Sequence, residues 1–455
     1  MANKTLLTYG AKSTSVEQMY YSPIAITPTN LDVITSTYCF LSKTDIWDDN
    51  NNPPEPTQDQ LNLKKVMKNI FVAKLVTSND ISPVIERIDW ETGTIYSYYR
   101  DDINIFEQDV NGFLVNKFYI KNKYDQVFKC LWNNNGAAST QEPYFEPGSY
   151  GTNNIYQGSD GYKWKYEYTI DTASKVKFMD STWMPIPSLL TTHPNPLVST
   201  AGYGDIEVIN VLNGGDGYDP ANAVVTVVVT GDGTGATGTA VVVDGAITDV
   251  IMTNNGSNYT YANVSIVSTT GANAALIAPT SPIGGHGYDV ITELGCTHAM
   301  ITSQFSGSEG GMIPTDIDFF QVGLLVNPTA KSRSPMTANG AIYKTTTDLV
   351  VAPGFGSFIG DEKLFQGTSL TDSTFSGTVL SFDTASNVVK LINTRGTLIT
   401  NAPVFGDTSK TARTLLTSST PDLITLSGYI TFIQNRSSVQ RSADGIEQFK
   451  IVIGY

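Results

Sequence analysis

The sequence predicts a mainly β, multi-domain protein: a β-sandwich-like core with inserted small β modules and a few short helices. Three observations lead there. Thr, Ser, Asn, Gly and 23 tyrosines crowd the chain, a mixture that suits strands, tight turns and wet contact surfaces better than long amphipathic helices. Hydrophobic residues make up 40% and charged residues 16%, which fits a packed protein and not a disordered one. At 455 residues the chain exceeds one ordinary core, so about two to four domains are expected.

Residues 1–95 read as the N-terminal part of a core domain. Ser15 and Gln18 have capping-box spacing before Met19. The run Leu31–Phe40 is β-prone, and Trp47–Pro56 breaks regular structure with its prolines. A helix follows, with Thr57 and Gln60 as caps and Leu63, Val66, Met67 and Ile70 on one face. Residues 96–200 read as a second β domain, with strands at Phe113–Ile120, Val127–Trp132 and Asp160–Ile170. In the last of these Tyr162, Trp164, Tyr166, Tyr168 and Ile170 share one face, and Lys163, Lys165 and Glu167 share the other.

Residues 201–280 change composition to Gly, Ala, Val, Thr and Asn, and they repeat. Ile206–Tyr218 aligns with Ile247–Tyr259 at a period of 41, each copy reading strand, Gly/Asn turn, Tyr, strand. Two hairpin-like units side by side would make an inserted β module. Residues 281–339 return to the core. Residues 340–420 read as a second inserted β domain, a small barrel or sandwich, from Phe355–Gly367, Gly377–Phe382 and Val388–Asn393. Residues 421–455 complete the core with strands Gly428–Gln434 and Gln448–Gly454, joined by residues 435–445.

Net charge is -15, with no basic clustering of the kind that phosphate neutralisation needs, so nucleic-acid binding is disfavoured. No run of ~18 apolar residues suggests membrane insertion, and Met1–Tyr9 carries no pattern of an export signal. Cys39, Cys130 and Cys296 lie far apart and read as reduced core residues, consistent with synthesis in a reducing cytoplasm.

Chemistry is sparse. His193, His286 and His298 lack metal-ligand spacing; His286, between Gly285 and Gly287, reads as a turn residue whose ring bonds a carbonyl. Gly214–Asp219 matches one unit of a calcium-binding repeat, but such sites need stacked turns and the second copy loses the acids. Asp48/Asp49 and Asp101/Asp102 read as solvated loop acids. No nucleophile elbow, phosphate loop or dinucleotide fingerprint occurs in a credible context, so no catalytic, cofactor-binding or metal residue is assigned and no enzyme activity is expected. Arg436 and Arg441 flank Val439, with Asp444 and Glu447 close behind. They read equally as subunit-interface contacts or as a surface turn with local ion pairs.

Six segments resemble, in order, the wedge subunit of T-even-like contractile-tail (myovirus) bacteriophage baseplates. They are Trp47 with its Asn/Pro-rich loop, Arg87–Trp90, Val127–Leu131, Asp160–Ile170, Phe320–Pro328, and Gly428–Arg436 running on to Ile453. The resemblance covers roughly residues 1–190, 281–330 and 421–455; regions 201–280 and 340–420 depart from it. It implies a β-rich structural protein of the virion, made in the host cytoplasm, that forms a homodimer, joins other baseplate wedge proteins and rearranges with them on tail contraction. No cofactor is implied. Candidate interface residues are Trp47, Trp164, Arg436, Arg441, Asp444 and Glu447. A competing expectation is a host-attachment, glycan-binding tail protein using the 201–280 module, with Tyr218, Tyr259 and Tyr261 as the contacts.

Overall fold

Asparagine and glycine set the rhythm of this chain, because both tolerate the left-handed turns that link short strands. Asn134, Asn135, Asn258, Asn273 and Asn387 all sit at positive φ. The structure is a computed structural model describing residues 9–21, 35–110, 112–150, 153–186 and 203–455. It is mainly β, with several sheets and, among the described residues, four short helices, the longest Tyr9–Tyr21 with 13 residues. None of the described helices is long and apolar enough to cross a membrane. The chain divides into two compact units, one of Met1–Glu17, Ser82–Met300 and Val452–Tyr455, the other of Gln18–Ile81 and Ile301–Ile451.

The first unit contains an antiparallel sheet in the order Tyr119–Lys121, Gln126–Trp132, Lys163–Thr169, Ile155–Gln157. The aromatic face of Lys163–Thr169 packs as its alternation requires. Trp164 stacks on Tyr162 at 5.4 Å and meets the edge of Tyr96 at 5.5 Å, while Tyr166 stacks on Tyr150 at 4.5 Å. Each such pair contributes about 0.5–1.5 kcal/mol beyond its burial. The helix Thr172–Phe178 is capped by Asp171, whose carboxylate accepts from Ser174 N at 2.9 Å.

The repeat region, still within the first unit, forms one module with a shared core. Its two copies each supply three strands: Asn210–Asp216, Thr226–Gly231 and Thr234–Val243, then Ala246–Ser257, Ala262–Val267 and Ala272–Ile277. The copies do not form two hairpins side by side; they exchange strands. The third strand of copy one pairs with the first strand of copy two, and the third strand of copy two with the first strand of copy one. The registers match: Thr234 opposes Ser257 as Ala272 opposes Asp216, and the slip at Thr237/Gly238 recurs at Ala275/Leu276. The middle strands pair with each other, and Ile209 bridges Val250, its own counterpart 41 residues on. The module is thus a pseudo-twofold pair in one chain.

Positive φ repeats with it, at Gly215 and Gly256. A Cβ on Gly215 would run into the Ala272 carbonyl oxygen, and one on Gly256 would lie 2.5 Å from Ala236 N. Only glycine meets both demands.

The second unit holds a five-stranded sheet in the order Ile342–Lys344, Ile70–Val76, Thr37–Ser42, Ile317–Val326, Tyr429–Arg441. Its core includes Tyr38, Phe40, Val66, Ile70 and Leu325. Val66 comes from the helix Gln60–Asn69, whose N-cap is Asp59 and not Thr57 or Gln60: Asn62 N donates to the Asp59 carboxylate at 2.9 Å, and Thr57 donates to the same carboxylate. The segment 347–419 closes into a six-stranded barrel rather than a sandwich, in the order Thr347–Val351, Val388–Gly396, Ser373–Asp383, Lys363–Gly367, Pro403–Gly406, Ala412–Ser419. Leu349, Leu364, Val379, Leu391 and Leu415, all buried, belong to its packed core.

Several expected elements shift. The Phe113–Ile120 strand shrinks to Tyr119–Lys121. Phe355–Gly367 is strand only from Lys363. Ser15 lies inside the helix Tyr9–Tyr21, and its hydroxyl donates to Ala11 O instead of capping. Of the run Leu31–Phe40, positions 31–34 lie outside the described residues, and the strand is Thr37–Ser42. The C-terminal connection shortens from residues 435–445 to 442–445, because the strand Tyr429–Arg441 continues through its polar half. An outer strand with one neighbour tolerates such polar residues.

Candidate functional site

Two predicted contact residues of the second unit, Arg436 and Arg441, lie on its outer strand Tyr429–Arg441, and a third, Trp47, bonds that strand. Trp47 Nε1 donates to Arg436 O at 2.8 Å, and the indole meets Phe320 edge-on at 6.1 Å. The Asn/Pro loop after Trp47 continues along the same strand: Ser438 N donates to Asn50 Oδ1 at 2.7 Å, and Asn435 Nδ2 donates to Pro54 O at 2.7 Å. Beyond the loop, Tyr429, Thr431 and Gln434 are exposed on a strand that, among the described residues, has a neighbour on one side only. Arg436 lies 5.5 Å over the Phe449 ring. Sequence reasoning missed a buried anchor nearby, Lys43, which pairs with Asp318 at 2.5 Å and Asp361 at 2.8 Å.

Arg441 differs from its expected place. Its side chain is fully buried and spends its donors within the chain. Nε and Nη2 donate to Glu447 Oε2 at 3.0 and 2.9 Å, Nη1 to Pro314 O at 2.9 Å, and Nη2 also to Gly307 O at 2.9 Å. The guanidinium ties the turn 442–445 to the 307–314 segment and presents no surface to another subunit. Trp164 is likewise fully buried. Of the six candidates, Trp47, Arg436, Asp444 and Glu447 keep some exposure.

The other face of the Lys163–Thr169 strand carries the least expected arrangement. Module and sheet meet over it, so Lys163, Lys165 and Glu167 are buried. Lys163 pairs with Asp249 at 2.7 Å and Lys165 with Glu207 at 2.7 Å, both acids coming from the repeat module. Lys129, on the next strand, pairs with Glu167 at 3.0 Å and with Glu293. Burial alone would depress the Lys129 ammonium, but the two carboxylates outweigh it and hold its pKa above the ordinary lysine value. Burial pushes the Glu167 carboxyl up to about 7 against the pull of Lys129, and neither of its oxygens accepts a well-directed hydrogen bond among the described residues. Burial also raises Glu207, opposed by Lys165. The alternation of lysines and glutamate was visible in the sequence; the distant acids that neutralise them were not.

His286 joins this cluster. Its glycine-rich turn drives the ring inside, edge-on to Tyr99 at 4.7 Å, and burial with the charges of Lys129 and Lys165 lowers its pKa well below the usual histidine value. The expected carbonyl bond is not made at Nδ1, which lacks a partner among the described residues. His298 bonds Thr297 Oγ1 through Nδ1 at 3.0 Å and packs on Trp183. His193 lies outside the described residues. The three cysteines are buried free thiols.

Two of the three candidate glycan-contact tyrosines are internal. Tyr218 packs on Gly271 and Tyr259 on Gly233. Both are buried, each against a glycine of the other copy of the repeat, whereas Tyr261 is 56% exposed. The Asp219 carboxylate is used in its own turn, accepting from Ala221 N at 3.1 Å and Asn222 Nδ2 at 2.6 Å. Among the described residues no group of three or more His, Cys, Asp or Glu is placed to hold a metal ion. No protein-family model matches the chain, and no curated protein sequence matches it.

Proposed function

We propose that this protein is a non-enzymatic structural subunit of a contractile-tail baseplate, of the wedge type, which self-associates and bridges neighbouring subunits. The carrying observation is a convergence. Segments far apart in the chain that carry the sequence resemblance become neighbours in space. Phe320–Pro328 overlaps the strand Ile317–Val326, which pairs with Tyr429–Arg441, and Trp47 bonds Arg436 on that strand. In the first unit, Val127–Leu131 and Asp160–Ile170 overlap the paired strands Gln126–Trp132 and Lys163–Thr169. A shared set of core contacts is what a common fold would keep when the rest of the sequence drifts.

The outer strand supports the assembly part of this reading. Strands with one neighbour are ready templates for pairing with another chain. The buried lysines Lys129, Lys163 and Lys165 are each engaged in charge pairs, which suits a rigid scaffold. The test is co-expression with the structural proteins encoded beside it, followed by size-exclusion chromatography with light scattering. A dimer that enters a larger complex is the expected result. A chain that stays monomeric at about 100 μM, far weaker than the micromolar range of specific pairs, and enters no complex overturns the proposal.

A further inference from the structure

A groove in the first unit runs between the segment 98–102 and residues 260–264 of the repeat module, with a volume of about 600 Å³. That lies within the range of about 300–1,000 Å³ typical of small-ligand sites. Both walls are held from behind. On one, Tyr99 donates its hydroxyl to Thr280 O at 3.2 Å, and the Asp101 carboxylate accepts from Thr280 N and Oγ1 at 2.9 and 2.8 Å. Their alternates Tyr98, Arg100 and Asp102 line the groove. On the other, the Asp232 carboxylate accepts from Thr260 N at 2.9 Å and Tyr261 N at 3.4 Å, so the exposed Tyr261 stands on a fixed turn. Leu212 and Leu276 add apolar lining.

Arg100 and Asp102 form a flat two-pronged pair, Nε to Oδ1 at 2.8 Å and Nη2 to Oδ2 at 2.6 Å, with 40% and 61% of their side chains exposed. Among the described residues the pair leaves Arg100 Nη1 and the outer carboxylate lone pairs open to a ligand. Three ligand chemistries can be compared. An apolar ligand would strip water from Arg100 and Asp102 and give nothing back. An anionic one would find the guanidinium already neutralised and Asp101 beside it. A sugar ring offers an apolar C–H face for tyrosine and adjacent hydroxyls that both give and accept hydrogen bonds.

We infer that this groove binds a neutral oligosaccharide, with a ring against Tyr261 and its hydroxyls on the Arg100–Asp102 pair. The site is independent of the assembly reading and differs from one built on Tyr218 and Tyr259, which are inside the module.

The test uses the full chain on a printed array of neutral and acidic glycans. Isothermal titration of the best neutral hit follows, against an acidic oligogalacturonate as control. Tyr261→Ala is expected to weaken the neutral ligand by about tenfold or more, and Asp102→Asn to weaken it measurably. Tyr203→Ala, another exposed tyrosine of the module but outside the groove, should leave binding unchanged. Circular dichroism confirms that each variant is folded. Absence of any neutral hit, a preference for the acidic glycan, or binding indifferent to Tyr261→Ala each overturns the inference.

Discussion

Arg441 and Glu167 show two opposite fates of a buried charge. Arg441 is surrounded by acceptors, so removing its side chain strands the Glu447 carboxylate and two carbonyls at once. Arg441→Ala is expected to cost about 3–5 kcal/mol in urea unfolding. A loss below about 1 kcal/mol, the worth of a surface pair, would show that the guanidinium is not an anchor. Glu167 is under-served instead. Its pKa of about 7 in the folded chain, against 4.5 ordinarily, means that the folded protein holds a proton the unfolded chain releases. The stability this contributes is fully present below pH 4.5 and is lost as pH rises through about 7. Glu167→Gln should flatten that stretch of the stability curve, seen as melting temperature from pH 4.5 to 8; a curve parallel to the parent's would refute it. The sequence made the nearness of Arg441 and Glu447 legible, since they lie six positions apart. It hid the burial, because Gly307 and Pro314 contribute backbone carbonyls, which have no sequence signature.

Between elements, the repeat gives a paired experiment. Gly215 and Gly256 hold equivalent left-handed positions against equivalent backbones. Gly215→Ala and Gly256→Ala should each destabilise by more than about 1 kcal/mol, and by similar amounts, in thermal unfolding. One tolerated and one severe change would mean that the copies are alike in register only. The period of 41 was readable from two tyrosines and their Asn/Gly turns. The strand exchange was not, since periodicity reveals copies but not which copy supplies the partner strand. The polar run Asn435–Arg441 read as a loop for a related reason: Ser437, Ser438 and Gln440 lack strand propensity, and their position on a sheet edge decided their conformation.

At the scale of the whole chain, the acid excess bears on association. With a formal net charge of -15, two copies repel at low ionic strength, and salt shortens the reach of that repulsion. If the protein self-associates through uncharged strand contacts, its dimer should strengthen between about 20 and about 300 mM NaCl in sedimentation equilibrium, as the Debye length falls. Weakening with salt would point to an interface made of ion pairs. The mainly β class was legible from composition, because Thr, Tyr, Val and Asn/Gly turns act locally. The division into two units was not, since the chain leaves and rejoins each of them, at residues 17/18, 81/82, 300/301 and 451/452. No local signal marks a return across 200 residues.

The first and last strands of the repeat module lie side by side, with Asn210 opposite Ile277. The module therefore begins and ends at a single doorway. A segment built this way can be gained or lost in one genetic step without rerouting what surrounds it. Such an event would leave a scar: Lys163 and Lys165, matched to acids that arrived with the insert, would stand as bare surface lysines in an ancestor that lacked it.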